Sequence, residues 1–333
     1  MRRRHFLHAL PLGAWAACNQ RRRTAESRTD PSAPSRSSTS NEDPGYAIQR
    51  GMSNVVVLRS AIAELTAAHV VLRDPRTLAV TRRIAVERPL AIGALGGNAF
   101  AVLVALDGAV PDAPRLLRFA DRADPTRHRF IGGGRLISTE TSDELWLVTR
   151  NVASRVRFEP AALRPVDSVS LDGDPFAVVC GMPDGSLVSH VSGGLLRTYA
   201  LRASQRYAID VDAWHLCAAG ADRVWATHNH EQLVQIQLAP TATIIRTHRL
   251  APGKPIHMHA AGELAAVLLV DGDPMHIRYS LAVYDGAVQR WRAPVPSTDQ
   301  RSLFVTVSPD RIIVSGPGVF HGWDAATGRP VTS

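Results

Sequence analysis

From residue 46 onward, short apolar segments alternate with turn residues, and no long stretch has the 3.6-residue periodicity of a helix. One recurring piece is an apolar strand, a turn containing Asp or Gly, and a second strand. It occurs as RLISTETSDELWLVTRN, PFAVVCGMPDGSLVSHV, AWHLCAAGADRVWATHN, IHMHAAGELAAVLLV and LFVTVSPDRIIVSG, with a weaker copy in LAIGALGGNAFAVLVAL. A more polar hairpin follows, for example QLVQIQLAPTATIIRTHRL. Each unit of about forty residues therefore supplies four short strands.

The repeat predicts an all-β fold, a seven-bladed β-propeller of four-stranded antiparallel blades over residues 46–333. A single four-stranded sheet has two apolar faces and can cover neither alone, whereas a closed ring of sheets covers them all. The last segment, RPVTS, is short, so a strand near residues 46–50 is expected to complete the final blade. The tryptophans of the repeats are expected to pack between blades: Trp146, Trp225 and Trp291.

The last unit, FVTVSPDRIIVSGPGVFHGWDAATGRPVTS, resembles a blade of the WD-repeat or YVTN-type propellers, with SPD at its first turn and WDAATG at its third. The segment LRDPRTLAVTRRI resembles the outer hairpin of the YVTN group, and WDAATGRPV is similar to the repeats of quinoprotein-like propellers. The resemblance covers residues 46–333. It implies the architecture alone, because the Asp–His network of true WD repeats is missing from the sequence.

The first 18 residues, MRRRHFLHALPLGAWAAC, have a basic start, a short apolar run and small residues before a cysteine, as an export signal peptide does. The twin-arginine export motif R-R-x-F-L is matched by Arg3, Arg4, Phe6 and Leu7. Ala16-Ala17-Cys18 resembles the end of a lipoprotein signal, which implies acylation of Cys18. Trp15 stands where a leucine-like residue is usual, so a plain cleaved signal with an incidental cysteine is the alternative.

Residues 19–45 contain mostly Ser, Thr, Pro and charged residues and have almost nothing to bury, which predicts a disordered tether. With the signal, this tether predicts an exported protein in the periplasm or on the outer face of a bacterial membrane. The expected membrane contact is the N-terminal lipid alone, because no other apolar run is long enough for a membrane helix.

The formal net charge of +8 owes much to six arginines among the first 23 residues, and the only lysine is Lys254. No stripe of basic residues follows a periodic segment, so nucleic-acid binding is not expected. The chain is also expected to be a monomer. The glycines at 132–134 lack the Lys-Ser/Thr of a phosphate loop and are expected to form a turn. The motifs H-E-x-x-H and G-x-S-x-G are both absent from the sequence.

Histidines recur where a propeller would bring them to one rim, at the start of a blade's first strand or after its second strand. The candidate rim site consists of His190, His215, His228, His230, His257 and His276. Converging neutral imidazoles can bind zinc or copper, and the candidate metal ligands are His215, His228, His230 and His257. They could also serve in acid–base chemistry with the carboxylates at 210 and 212 or at 271 and 273. The alternative is that they are hydrogen-bonded residues beside a wet channel.

Cys180 and Cys217 lie 37 residues apart, one repeat, and align in the first strands of adjacent blades. His259 takes the same place in the next blade. The spacing allows a disulfide, a pair of free buried thiols, or a metal cluster of the three side chains. Burial as free thiols is favoured, because the inner strands of adjacent blades often stand too far apart for a disulfide.

Two functional hypotheses follow from these patterns. The first is a non-enzymatic binding or scaffolding protein of the cell envelope, with a protein partner or a small ligand at the propeller rim. Contacts are then expected at the longer loops, interpreted as residues 60–68, 107–114 and 271–278. The second is a metal-binding protein or a metal-dependent enzyme, of lyase or hydrolase type, that uses the histidine-rich rim.

Overall fold

The computed structural model describes the chain from residue 54 to residue 331 with several gaps. The described ranges are 54–105, 115–120, 125–129, 135–139, 143–148, 152–159, 162–171, 178–199, 203–250, 252–272, 276–296 and 303–331. The signal segment, the tether, residues 46–50, the loop at 107–114 and the glycines at 132–134 lie outside them. No helix within these ranges is long and apolar enough to cross a membrane.

The described residues form twenty-eight strands in seven sheets, each sheet built from four consecutive strands. The first four blades contain β1 (Val55–Val57), β2 (Ile62–Leu65), β3 (His69–Arg73), β4 (Val80–Ala85); β5 (Pro89–Ala94), β6 (Phe100–Val104), β7 (Arg115–Phe119), β8 (Thr126–Arg129); β9 (Arg135–Ser138), β10 (Glu144–Val148), β11 (Val152–Phe158), β12 (Leu163–Ser170); β13 (Val179–Gly181), β14 (Leu187–Val191), β15 (Gly194–Thr198) and β16 (Ser204–Ala208). The last three contain β17 (Ala213–Ala218), β18 (Arg223–His228), β19 (Gln232–Gln237), β20 (Thr243–Arg249); β21 (Lys254–Ala261), β22 (Leu264–Asp271), β23 (Arg278–Asp285), β24 (Val288–Val295); β25 (Phe304–Val307), β26 (Arg311–Gly316), β27 (Val319–Asp324) and β28 (Pro330–Val331).

Each strand pairs antiparallel with the next one in its blade, so the predicted seven-bladed all-β propeller is confirmed. The interpretation of residues 60–68 as a loop is wrong, because Ile62–Leu65 form strand β2 and Ile62 is fully buried. The connection predicted within 271–278 is confirmed in its described part, since β22 ends at Asp271 and β23 begins at Arg278.

The final blade obtains its fourth strand from the C-terminal segment. Strand β28 pairs with β27 through Gly322↔Val331 and Trp323↔Pro330. Asp324 shapes the turn between them, because its Oδ1 accepts hydrogen bonds from the Thr327 backbone and hydroxyl at 2.9 and 2.8 Å. The blade therefore has its four strands without residues 46–50.

The core lies between the blades. Strands β6 and β10 are buried along their whole length, because sheets cover both of their faces. The fourth strands β4, β16 and β20 are mostly exposed. One core cluster illustrates the packing, since it combines Leu281 of β23 with Val305 and Val314 of the next blade.

Tryptophans reinforce these interfaces, as predicted. Trp146 and Trp225 are fully buried on second strands, and each indole N–H donates to a turn carbonyl of the following blade: Gly185 O at 3.0 Å and Gly262 O at 3.3 Å. Trp291 is only partly buried and lies on a fourth strand, β24, but its indole likewise donates to Ala325 O of the last blade, at 3.0 Å.

An acidic residue in a blade's first turn repeatedly pairs with an arginine of the preceding blade. Three such residues do this: Asp143 with Arg118, Asp222 with Arg197, and Glu263 with Arg223 and Arg246. Because the same position recurs, the ring has a series of charged links at one rim in addition to its apolar core.

Candidate functional site

The first strands of all seven blades surround a central cavity of about 760 Å³. Its lining mixes apolar side chains such as Val56 and Ile92 with imidazoles, thiols and hydroxyls. The chemically distinctive lining residues are Arg135, Ser138, Thr139, Cys180, Trp214, His215, Cys217, His257, His259 and Thr306. The volume lies within the range of small-molecule binding pockets.

Three channel histidines form hydrogen bonds with backbone groups of the neighbouring blade. His215 on β17 donates from Nε2 to Ile256 O at 3.1 Å, and its Nδ1 lies 3.0 Å from the Thr227 hydroxyl. On β21, the Nδ1 atoms of His257 and His259 accept hydrogen bonds from backbone N–H groups of β25. The donors are Val305 at 3.1 Å and Val307 at 3.2 Å.

These bonds determine the chemical form of His257 and His259. A ring nitrogen that accepts an N–H hydrogen bond carries no proton, so each neutral ring has its hydrogen on Nε2. Burial also lowers the pKa of His259 to about 4. His259 is therefore a neutral hydrogen-bond donor toward the cavity at physiological pH.

The other rim histidines also contact neighbouring protein groups. His190 donates from Nε2 to Val211 O at 2.9 Å. His228 accepts from the Asp212 N–H at 3.0 Å through Nδ1. The ring of His230 lies 3.8 Å from that of Trp214. His276 is exposed in the connection between β22 and β23.

The predicted metal ligands are not assembled into one site. His215 and His257 approach each other, with ring centroids 6.2 Å apart, but His228 and His230 contact Asp212 and Trp214 instead. Within the described residues, no group of three or more His, Cys, Asp or Glu side chains is placed to hold a metal ion. The physical reason is that these imidazoles bond to backbone groups and rings of adjacent strands.

Two of the nearby carboxylates, Asp212 and Asp271, accept local hydrogen bonds. Asp271 Oδ1 accepts from the Gly272 N–H at 2.8 Å, and Asp212 Oδ2 accepts from the Trp214 indole at 3.2 Å. Asp273 lies outside the described residues. The observed contacts match the interpretation of these residues as local turn formers.

Cys180 and Cys217 are both free thiols, so the favoured alternative fits the structure and the disulfide does not. Cys217 donates from Sγ to Met258 O at 3.4 Å. Burial raises the pKa of Cys217 to about 12, and burial followed by the nearby Cys217 raises the pKa of Cys180. At neutral pH both thiols are therefore protonated, as expected of small packing residues.

Two channel residues of β9, Arg135 and Ser138, were missed by the sequence reasoning. Ser138 Oγ accepts from the Ala94 N–H of the preceding blade at 2.7 Å. The sequence does indicate a channel position for Ser138, because the repeat aligns it with Cys217. Both residues stand five positions before an aspartate and eight positions before a tryptophan. No repeat signal marks Arg135.

Comparisons with known proteins support the fold. No protein-family model matches the sequence, and no curated protein matches it. Among solved structures, the chain is similar to Kluyveromyces lactis Hsv2, with a TM-score of 0.61, 12% identity and coverage of 81% of this chain and 92% of that one. It is also similar to Saccharomyces cerevisiae Sqt1 (TM-score 0.55, 10% identity, 85% and 84% covered). It is similar as well to the WD40 domain of Toxoplasma gondii coronin, with a TM-score of 0.53, 12% identity and coverage of 84% of this chain and 76% of that one.

Proposed function

We propose that this chain is a binding or scaffolding protein of the cell envelope, exported and held at a membrane by a lipid on Cys18. The observation that supports the proposal is that His190, His215 and His257 bond to backbone groups of neighbouring blades, and we expect these bonds to fix the rim as a binding surface. A propeller offers a broad rim on which loops determine the partner. The likeness to WD40-type propellers is compatible with this role through the fold alone.

The proposed partner surface is the rim formed by the connections after the second strands. In blade five, Asn229 and His230 both have positive φ angles, 49° and 56°, and His230 stacks on Trp214. In blade six, the corresponding connection contains the exposed His276. A rigid aromatic pair beside exposed polar residues is well suited to contact a protein partner.

Site-specific photo-crosslinking in cells tests this surface. A benzophenone amino acid at position 230 or 276 is expected to crosslink a discrete envelope protein. The matched control is position 288 on the outer strand β24, where Val288 is 58% exposed. Equal crosslinking at all three positions, or none at 230 and 276, would contradict a partner at this rim.

Metal analysis separates the proposal from the metal-dependent alternative. The untagged protein, purified without chelator, is expected to contain no stoichiometric zinc or copper by mass spectrometry. About one metal ion per chain, lost in the variants His215→Ala and His257→Ala, would overturn the proposal in favour of a metal site.

The proposed export signal and lipid anchor are tested by separate substitutions. Cys18→Ser is expected to move the protein from the membrane fraction to the soluble fraction of the envelope. Replacing Arg3 and Arg4 with lysine is expected to leave unprocessed precursor inside the cell. Unchanged membrane association of the Cys18→Ser protein would exclude the lipid anchor.

A further inference from the structure

We infer that the outer edge of blades one and two docks on a membrane of anionic phospholipid, as a second membrane contact besides the lipid on Cys18. The docking surface, which we call the basic edge, consists of Arg82 and Arg83 on β4 and Arg127 on β8. The inference rests on the proposed anchor for bringing this edge to a membrane. The affinity of the arginines for anionic lipid can be measured without the anchor.

The fold places Arg82 and Arg127 on facing surfaces of two neighbouring blades. Ile84 of β4 and Leu117 of β7 pack against the same core cluster between blades one and two. Arg82 lies two residues before Ile84 and therefore on the same face of its sheet. Arg127 is the cross-strand partner of Leu117 and lies on the matching face of the next sheet. The two arginines therefore lie at the outer end of one interface between blades.

The charges of the basic edge are exposed and not offset by carboxylates of their own strands. Strand β4 reads VTRRIA and β8 reads TRHR, so neither contains Asp or Glu. The side chains of Arg82, Arg83 and Arg127 are exposed, and no hydrogen bond or ion pair joins their guanidinium groups to another described residue. By contrast, Arg290 on the outer strand β24 binds Asp285 of its own blade. An uncompensated positive edge is complementary to a surface of phosphate groups.

The position of the basic edge suits a flat surface. Strands β4 and β8 are the farthest from the channel in their blades, because the sheet orders β1-β2-β3-β4 and β5-β6-β7-β8 begin with a strand that lines it. Arg82 and Arg83 start on opposite faces of β4, but long arginine side chains extend past a strand edge and can reach one plane. Val80 of the same strand is 43% exposed and can enter the headgroup region beside them.

The proposed anchor favours a membrane over a separate acidic protein as the partner. A lipid on Cys18 would keep the propeller beside one membrane, so that docking becomes an intramolecular step with a high effective concentration of headgroups. A few arginines then suffice, although each contributes little. The partner surface proposed in blades five and six involves other strands and would stay accessible.

Vesicle sedimentation tests the basic edge in the full chain carrying Cys18→Ser, in which no acyl chain can insert. Vesicles that contain phosphatidylglycerol are compared with vesicles of phosphatidylcholine alone. The chain is expected to bind the anionic vesicles and to be released as salt rises from about 0.05 M to about 0.5 M. Equal binding to both kinds of vesicle, or no binding to the anionic ones, would overturn the inference and leave the arginines to prevent pairing between sheet edges.

Variants locate the docking surface. Each arginine near an anionic surface strengthens binding about fivefold, which corresponds to about 1 kcal/mol, so replacing Arg82, Arg83 and Arg127 with glutamine should weaken binding about 100-fold. The matched control is Arg249→Gln, an exposed arginine on the fourth strand β20 of blade five, which should change binding less than about twofold. Denaturant unfolding checks that each variant is folded. If the triple variant binds as tightly as the control, the inference fails.

Two features keep the result separate from other contacts. The arginines of the first 23 residues are the same in every variant, so they cannot produce the expected difference. Washing cell membranes with about 0.5 M salt removes docking through arginines but not an acylated chain. Fractionation of the Cys18→Ser protein after this wash therefore tests the anchor, and the vesicles test the basic edge, so either proposal can fail while the other holds.

Discussion

His259 shows how a single imidazole in this channel is committed to one protonation state. Its Nδ1 accepts from the Val307 N–H of the last blade, and protonation of that nitrogen would abolish the bond. Surrounding protein also removes the water that would stabilise an imidazolium. The ring is therefore a structural link that works while it is neutral, and acid should weaken it.

The first prediction concerns pH. Because the pKa of His259 falls from 6.5 to about 4 on folding, the unfolded chain binds more protons between these values. The free energy of unfolding should therefore fall as pH falls through this window, by up to about 1.4 kcal/mol per pH unit from this residue. His259→Gln, whose amide oxygen can accept from Val307, should show a shallower fall in denaturant titrations from pH 7 to pH 4.5.

The control is Val288→Gln on the outer strand β24, because Val288 is exposed and the change removes no titratable group. It should leave the pH dependence of unfolding as in the wild type. Identical slopes for His259→Gln and the wild type would show that His259 titrates alike in the folded and unfolded chains.

At the scale of elements, two kinds of ion pair have different roles. Within blade three, Glu144 of β10 is buried and binds Arg155 and Arg157 of β11, with Nε–O distances of 2.7 and 2.6 Å. Between blades four and five, Arg197 of β15 is 3% exposed and binds Asp184 and Asp222 at 3.0 and 2.9 Å. The first joins neighbouring strands, and the second joins neighbouring sheets.

Glu144→Ala should lower the free energy of unfolding by about 3 kcal/mol or more, because it leaves the nearly buried guanidinium of Arg155 without its carboxylate. The matched control is Glu159→Ala. The pair Glu159–Arg164 is exposed and 3.6 Å long, so its loss should cost less than about 1 kcal/mol. Denaturant unfolding measures both variants, and similar costs for the two would contradict the importance of burial.

Arg197→Lys tests the link between blades. The guanidinium also donates to Ser186 Oγ and Ala221 O, and one ammonium cannot reach all four acceptors. We expect a loss of about 1–3 kcal/mol in the free energy of unfolding. Arg82→Lys, at an exposed position of β4, should change it by less than about 0.5 kcal/mol. A loss no larger than that of Arg82→Lys would show that charge alone sustains the link.

At the scale of the whole molecule, the blade count could be predicted because an apolar strand pair, followed by a more polar hairpin, recurs about every forty residues. The partners of the site residues could not. His215 bonds to Ile256 O and His257 to the Val305 N–H, and these groups belong to other blades. A shift of one residue in register would turn each ring to the opposite face. Strand β2 was mistaken for a loop, because the short IAEL segment has no clear alternation.

Closure of the ring depends on side chains that join the last blade to the first. Arg73 of β3 lies over the Phe320 ring, with its guanidinium carbon 3.8 Å from the centroid. Ser315 donates from its hydroxyl to Asn54 Oδ1 at 2.5 Å. Leu78, which is 1% exposed, fills the space above Gly322 of β27. Within residues 54–331, the last and first blades of the propeller therefore meet through a packed side-chain interface.

The interface predicts a specific coupling between Leu78 and Gly322. Gly322→Ala would place a methyl group against the Leu78 Cδ1 atom, so it should destabilise the ring by about 1–3 kcal/mol through overpacking. Leu78→Ala should cost about 2–5 kcal/mol because it leaves a cavity. In the double variant the new methyl enters that cavity, so the combined cost in denaturant unfolding should be smaller than the sum by about 1 kcal/mol or more. Strictly additive costs would mean that Leu78 does not occupy the space above Gly322, and that the last and first blades meet in another way.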